Sequence, residues 1–283
     1  MRTRLDVLVT TALDRGAAVP AFTCYDFTTA LAVVEAAEHI GDGVILLVAP
    51  KTAVSPAGIR LICALRGLAD AAAVPVSIQL DHASDIAAIL TGVAAGADAV
   101  LVDGSALAYE ENIQLVQAAR DAIGNPGIVL EAELGGLAGD EDKAYAMVPA
   151  GLTDPDQVAD FVNQTGAQLL AVAIGNVHGR YAGEPRLRWD VLADITSRTS
   201  VPVVLHGASG LAATDLAQAP ARGVGKVNFN TELRTGILTA VQTEIRSYRE
   251  DGENLLALLD LWRDTAGAFT TASIQTLSGH AND

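Results

Sequence analysis

The sequence predicts an α/β fold, a (β/α)8 TIM barrel with a C-terminal helical extension. Three observations predict it. Strand-like and helix-like runs alternate along all 283 residues with no second pattern break. The strands are nearly continuous apolar runs, as in a parallel sheet covered on both faces. The length suits one barrel, and no linker or low-complexity stretch divides it, so residues 1–283 read as one domain.

Residues 3–16 read as a leading helix closed by Gly16, and 18–24 as the first strand. An amphipathic helix over 28–40 leads to a second strand over 44–49, and its helix spans 58–72, starting after Gly58. Pro75 introduces the third strand, 76–80, which stops on Asp81-His82 before a helix over 84–95. The fourth strand, 97–102, ends on Asp103-Gly104-Ser105 and feeds a helix over 110–123. The fifth, 127–132, carries Glu131 and leads to Glu133 and a glycine-rich loop, 135–142. Thr153-Asp154-Pro155 opens a helix over 155–165, with proline where a first turn tolerates it. Strand six is 169–174, followed by a long connection to a helix near 189–198. Strand seven is 201–205 with a helix over 212–221, strand eight is 224–229, and the remainder to 277 reads as two helices, the extension covering about 232–277.

Composition narrows the partners. Half the residues are hydrophobic and 18% are charged, so the chain can bury a full core. The positive mean hydropathy comes from alanine-rich helices, and no apolar run approaches the roughly 18 residues of a membrane span. The first residues lack the apolar centre of a signal peptide, which sets a cytoplasmic location as the expectation. A net charge of −16 argues against nucleic acid and anionic membrane, which need basic patches. It leaves room for a small phosphorylated ligand held by backbone amides. Cys24 and Cys63 have no metal spacing and read as buried thiols in a reducing compartment.

The polar residues fall where such barrels place their active sites, at the C-terminal ends of the strands. Asp81 and His82 follow strand three, Asp103 strand four, Glu133 strand five, His178 strand six and His206 strand seven. Three imidazoles on one rim suggest a metal site with an open position, zinc first and cobalt or iron as further possibilities. His39 and His280 sit in a helix and in the tail and read as ordinary histidines. Asp81 borders the open side, as a fourth ligand or as a general acid/base. Asp103 and Glu133 are candidates for orienting the imidazoles or for an alternative metal position.

His206-Gly207-Ala208-Ser209-Gly210-Leu211 nearly imitates a hydrolase elbow, but Leu211 breaks the G-x-S-x-G pattern. Gly207, Ala208 and Ser209, with Asn228, Phe229, Asn230 and Thr231 after strand eight, better suit amides approaching a phosphate. Of the lysines Lys51, Lys143 and Lys226, only Lys226 lies in a strand, and it keeps a Schiff-base lyase open as a second reading. A barrel subunit that binds sugar phosphate without turnover is a third.

These residues, taken together, resemble the class II, metal-dependent ketose-bisphosphate aldolases, most closely the tagatose-/fructose-bisphosphate branch. The resemblance is carried by Leu80-Asp81-His82, Val102-Asp103-Gly104-Ser105, Glu131-Ala132-Glu133-Leu134-Gly135, Thr153-Asp154-Pro155, His178-Gly179, Leu205 to Gly210 and Lys226-Val227-Asn228. They run in the family's order from about residue 18 to 235. The resemblance implies zinc on His82, His178 and His206, and Asp81 as the proton carrier at the cleaved bond. It implies a dihydroxyacetone phosphate site from Gly179, Gly207 to Ser209 and Asn228 to Thr231, with a monovalent cation (sodium or potassium) beside it. Glu141 would move the C1 proton. The implied reaction is reversible cleavage of a phosphorylated ketose to dihydroxyacetone phosphate and an aldehyde through a metal-stabilised enediolate. The helices beyond about 235 are expected to pack against the barrel or a partner subunit, in a homodimer or homotetramer. Thr23 stands where the family usually has asparagine, and Ala49 where it is often polar, so the sugar can differ from the usual hexulose bisphosphates.

Overall fold

Eight parallel strands close on themselves in simple sequential order in a computed structural model that describes residues 1–139 and 143–278. The barrel strands are β1 Val19–Thr23, β2 Val44–Val48, β3 Val76–Ala83, β4 Ala99–Val102, β5 Val129–Leu134, β6 Leu169–Val172, β7 Val203–Leu205 and β8 Val224–Phe229. Each pairs with the next, and β8 returns to β1 through Val19–Lys226 and Ala21–Asn228. The helices are α1 Leu5–Leu13, α2 Phe27–Ile40, α3 Pro50–Ala53, α4 Pro56–Ala71, α5 Ile86–Ala95, α6 Tyr109–Ile123, α7 Pro155–Thr165, α8 Trp189–Thr196, α9 Ala213–Gln218, α10 Thr231–Glu250 and α11 Leu255–Leu277.

Local chemistry explains the helix starts. Asp26, Ser55 and Asp85 each accept a hydrogen bond from the backbone N–H three residues on, at 2.9, 2.9 and 2.8 Å. The helix expected after Gly58 therefore begins earlier, at Pro56 behind the Ser55 cap. Gly58, inside its first turn, has to be glycine because a Cβ there would come within 1.7 Å of the Thr52 carbonyl oxygen in α3. A second departure is a two-residue parallel ribbon, Ala146–Met147 with Arg180–Tyr181, too short to leave a periodic signal in sequence.

The core has two compartments. Outward-facing strand residues such as Leu46, Ile78, Val100, Leu170 and Phe229 meet the surrounding helices. Inward-facing Ala21, Ile45, Leu47, Val129, Leu169 and Val204 form a second cluster with Leu5, Leu8 and Val9 of α1. The leading helix thus plugs the N-terminal end of the barrel, and the other end is left for chemistry. Among the described residues no helix is long and apolar enough to cross a membrane.

Candidate metal centre and active site

The geometry begins with an irregularity in β3. Val76, Ile78 and Leu80 face the outer core, so alternation turns Ser77, Gln79 and Asp81 inward. Strict alternation would then send His82 outward. Instead Leu80 pairs with Val100 and Ala83 with Val102, so three steps on β3 match two on β4. This is a β-bulge, and His82 adopts a φ of 43° within it, a left-handed conformation unusual outside glycine. The extra residue brings His82 to the barrel mouth beside Asp81, and it extends β3 past the expected end at residue 80.

His206 arrives directly from β7. Gly207 turns the chain beneath the neighbouring loop at φ 63°, where a Cβ would sit 2.1 Å from the Val177 carbonyl oxygen. His178 comes from the loop after β6. Asn176 braces that loop: its Oδ1 accepts from Ile174 N at 2.8 Å and its Nδ2 donates to the His206 carbonyl at 2.9 Å. The His178 amide donates to Ala138 O at 2.8 Å, joining the loop after β5.

His82, His178, His206 and Glu133 each offer one donor atom, all within 4.8 Å of one another. His206 Nδ1 and Glu133 Oε2 are buried with no hydrogen-bond partner among the described residues. Buried polar atoms are rarely left so, and a shared cation is the ordinary explanation. Three imidazoles and a carboxylate are a zinc-type donor set, so the residues fit the ion. Asp103, a candidate ligand from sequence, lies behind His82 and outside this quartet. Its Oδ2 is 2.8 Å from His82 Nδ1 and its Oδ1 accepts from Ser105 N at 2.9 Å. Burial opposes its ionisation, but the contacts with His82 and Ser105 hold its carboxyl well below the usual range. Burial pushes Glu133 the other way, above its ordinary value, with Asp103 adding to the shift and His82 opposing it.

Beneath the quartet lies a second, wholly buried layer. Glu131 Oε1 is 3.0 Å from His206 Nε2, and Oε2 accepts from Lys226 Nζ at 2.7 Å and Gln79 Nε2 at 2.8 Å. Burial works against the Glu131 charge, yet Lys226 and His206 hold its carboxyl down to about 2. Lys226 is fully buried and its ammonium is taken by a carboxylate, so the Schiff-base reading loses the accessible amine it requires. Gln79 is not among the residues expected in the site; its one signal in the sequence is the alternating Ser77-Gln79-Asp81 in an otherwise apolar strand.

The remaining candidates divide. Gly179, Ser209, Gly210 and Thr231 line one open cavity of about 370 Å³ with Arg180, Tyr181 and Glu232, where α10 begins. The Tyr181 hydroxyl donates to Gly207 O at 3.1 Å, and burial pushes it up to about 12. Asn228 is buried, with neither side-chain amide atom hydrogen-bonded among the described residues. Asn230 Nδ2 donates to the Tyr25 hydroxyl at 3.1 Å. The side chains of Phe229 and Ala208 lie in the outer core, Phe229 against Phe22 and Phe269, which leaves their backbones to meet a ligand. Thr23 and Ala49 are buried. Cys24 is buried too, whereas Cys63, expected to be, is exposed on α4. Glu141 lies outside the described residues.

Comparison with known proteins agrees with this geometry. Residues 3–279 match the family profile described as Fructose-bisphosphate aldolase class-II. The chain is 41% identical over 229 residues to the D-tagatose-1,6-bisphosphate aldolase subunit GatY of Klebsiella oxytoca, covering 80% of each chain. The crystal structure of the YdjI aldolase from Escherichia coli K12 superposes with a TM-score of 0.86 at 30% identity, over 98% of this chain and 97% of that one. A putative fructose-1,6-bisphosphate aldolase from Coccidioides immitis gives a TM-score of 0.85 at 29% identity, over 97% and 96% of the two chains. A bulged strand that brings an acid and an imidazole to one mouth, and a match along nearly the whole chain, place this protein in the class II fructose-bisphosphate aldolase family, as a carbon–carbon lyase.

Proposed function

We propose that the protein cleaves a phosphorylated ketose, of the tagatose or fructose 1,6-bisphosphate type, reversibly to dihydroxyacetone phosphate and an aldehyde. The observation that carries this reading is the convergence of His82, His178, His206 and Glu133 beside the buried Asp81 at the barrel mouth. The three histidines would hold zinc, with Glu133 as an alternative ligand. When bound, the ion supplies a Lewis acid for the ketose carbonyl and for the negative charge left by cleavage.

The chain's own residues do the rest. Asp81, turned inward by the alternation of β3, takes the C4 hydroxyl proton as the C3–C4 bond breaks and returns it in the reverse direction. Glu141, in the glycine-rich loop, moves the C1 proton of dihydroxyacetone phosphate, protonating the carbon released when the C3–C4 bond breaks. Gly179, Gly207 to Ser209 and Asn228 to Thr231 receive the phosphate, mostly through amides at the start of α10, with a sodium or potassium ion beside it. Asp103 and Glu131 fix the rings of His82 and His206, and a carboxylate on one ring nitrogen leaves the other to the metal. Residues 1–283 act as one barrel domain in a homodimer or homotetramer in the cytoplasm, with no nucleic-acid or membrane partner.

The test is metal analysis of the purified protein followed by exhaustive chelation, with dihydroxyacetone phosphate release followed on a panel of ketose bisphosphates. Activity should disappear on chelation and return with zinc. Undiminished cleavage in the metal-free protein would overturn the reading.

A further inference from the structure

We propose that Lys226 and Glu131 form a buried cross-barrel pair whose task is to fix the tautomer and orientation of His206, making both positioning residues for the metal centre. The inference rests on the zinc reading above and deepens it.

The pair spans the barrel interior. Lys226 belongs to β8, Glu131 to β5 and Gln79 to β3, and all three are fully buried. Lys226 reaches the interior only because β8 is irregular. Val224 pairs with Val203 while Lys226 pairs with the very next residue, Val204, so one extra residue is inserted at Gly225. Val224 and Val227 accordingly both face the outer core, and Lys226 faces in. Gly225 suits the insertion because a Cβ there would meet Val9 Cγ1 at 2.5 Å, against the α1 plug.

The hydrogen-bond roles follow from the partners. Lys226 can only donate, so Glu131 Oε2 accepts from it at 2.7 Å. Gln79 must also present its amide nitrogen to Oε2 at 2.8 Å, because the flipped amide would set oxygen against oxygen. Against the Lys226 ammonium at 2.7 Å the group is a carboxylate, so Oε1 is an acceptor as well. His206 Nε2, 3.0 Å from Oε1, must then carry the ring proton. That assigns the lone pair to Nδ1, which has no hydrogen bond among the described residues and lies 3.8 Å from Glu133 Oε2 in the quartet. A buried carboxylate beside His206 could not be kept as an acceptor without a counter-charge, and Lys226 supplies it. The lysine therefore acts through Glu131 on a ligand, with no covalent part in the reaction.

Two measurements test the pair in the full chain. The first is the imidazole nitrogen NMR spectrum of metal-free wild type, where His206 should appear as the Nε2–H tautomer; an Nδ1–H signal overturns the assignment. The second compares zinc affinity, by competition with a chromophoric chelator, between wild type and Glu131→Gln/Lys226→Met. The double variant removes both charges together, avoiding the buried unpaired ion that either single change would leave. An amide can donate to or accept from the ring, so the tautomer should become mixed, with zinc bound about 10- to 100-fold more weakly. A folded double variant with wild-type zinc affinity and a single His206 tautomer would sink the inference. Wild type that binds no zinc would sink the zinc reading, and the tautomer measurement would still decide the pair.

Discussion

At the scale of single residues, the bulge in β3 separates two tasks between neighbours. His82 is in the donor quartet, whereas Asp81 is buried beside it and is not among the quartet's four residues. Asp81→Ala should therefore keep stoichiometric zinc while losing cleavage by about 100- to 10,000-fold, the usual range for a proton-transfer group. Loss of the metal along with activity would make Asp81 a ligand instead. Thr23 invites a second substitution. Its Oγ1 is buried without a hydrogen-bond partner among the described residues, on the inner face of β1. An unsatisfied buried hydroxyl costs stability in the free protein, on the order of 1 kcal/mol. It is sensible there if a substrate hydroxyl or phosphate completes it. Thr23→Val should raise the urea midpoint slightly and raise KM for the preferred ketose phosphate. An unchanged KM across the substrate panel would remove Thr23 from the site.

At the scale of elements, the order and most ends of the barrel strands were legible because apolar runs and turn residues report them directly. Strand faces were less so. Alternation predicts a face only while the ladder is regular, and the two positions that matter most, His82 and Lys226, follow inserted residues that no local pattern announces. The histidines could still be recognised because their strand-end positions do not depend on facing; Asp103 and Gln79 could not be assigned without the contacts. The N-terminal end of the barrel has its own electrostatics. Asp98, just before β4, accepts from Ile78 N at 3.1 Å and lies 3.3 Å from Arg2 Nε, with its side chain 16% exposed. Burial pushes its carboxyl up to about 6 despite those contacts. A folded value above the unfolded one, 3.8, means the native state binds the proton more tightly. The contribution is thus fully present below about pH 4, is lost as pH rises towards about 6, and is absent above it; with solvent screening of this partly exposed group its size is on the order of 2 kcal/mol. Asp98→Asn keeps an acceptor for Ile78 and should flatten that part of the stability profile, measured as denaturant midpoint from pH 4 to 7. A variant with the wild-type slope across that window would remove Asp98 as its source.

At the scale of the whole molecule, the surface carries two opposing signals. A net charge of −16 keeps copies apart at long range, screened within roughly 8 Å at physiological salt. Large apolar side chains nevertheless gather on the C-terminal helices. Leu238 and Ile245 of α10 and Leu255, Leu256 and Leu259 of α11 are exposed, Leu256 by 70%. Ile245 and Leu255 also line a cavity of about 310 Å³ at the turn joining the two helices. Exposed apolar side chains gathered on one pair of helices mark an interaction face more often than they are left to solvent. Closed symmetry makes a second copy of the chain the simplest occupant, since one patch then covers itself. The expected result is a dimer or tetramer in sedimentation at micromolar concentration, shifting towards monomer when Leu256→Glu adds a charge to the face. Tyr145 and Val148, exposed in the connection after β5, offer a competing surface. An oligomer unmoved by Leu256→Glu but dispersed by Tyr145→Glu would place the interface there, against the active-site entrance. A wild-type monomer at working concentration would show that neither face is used between copies.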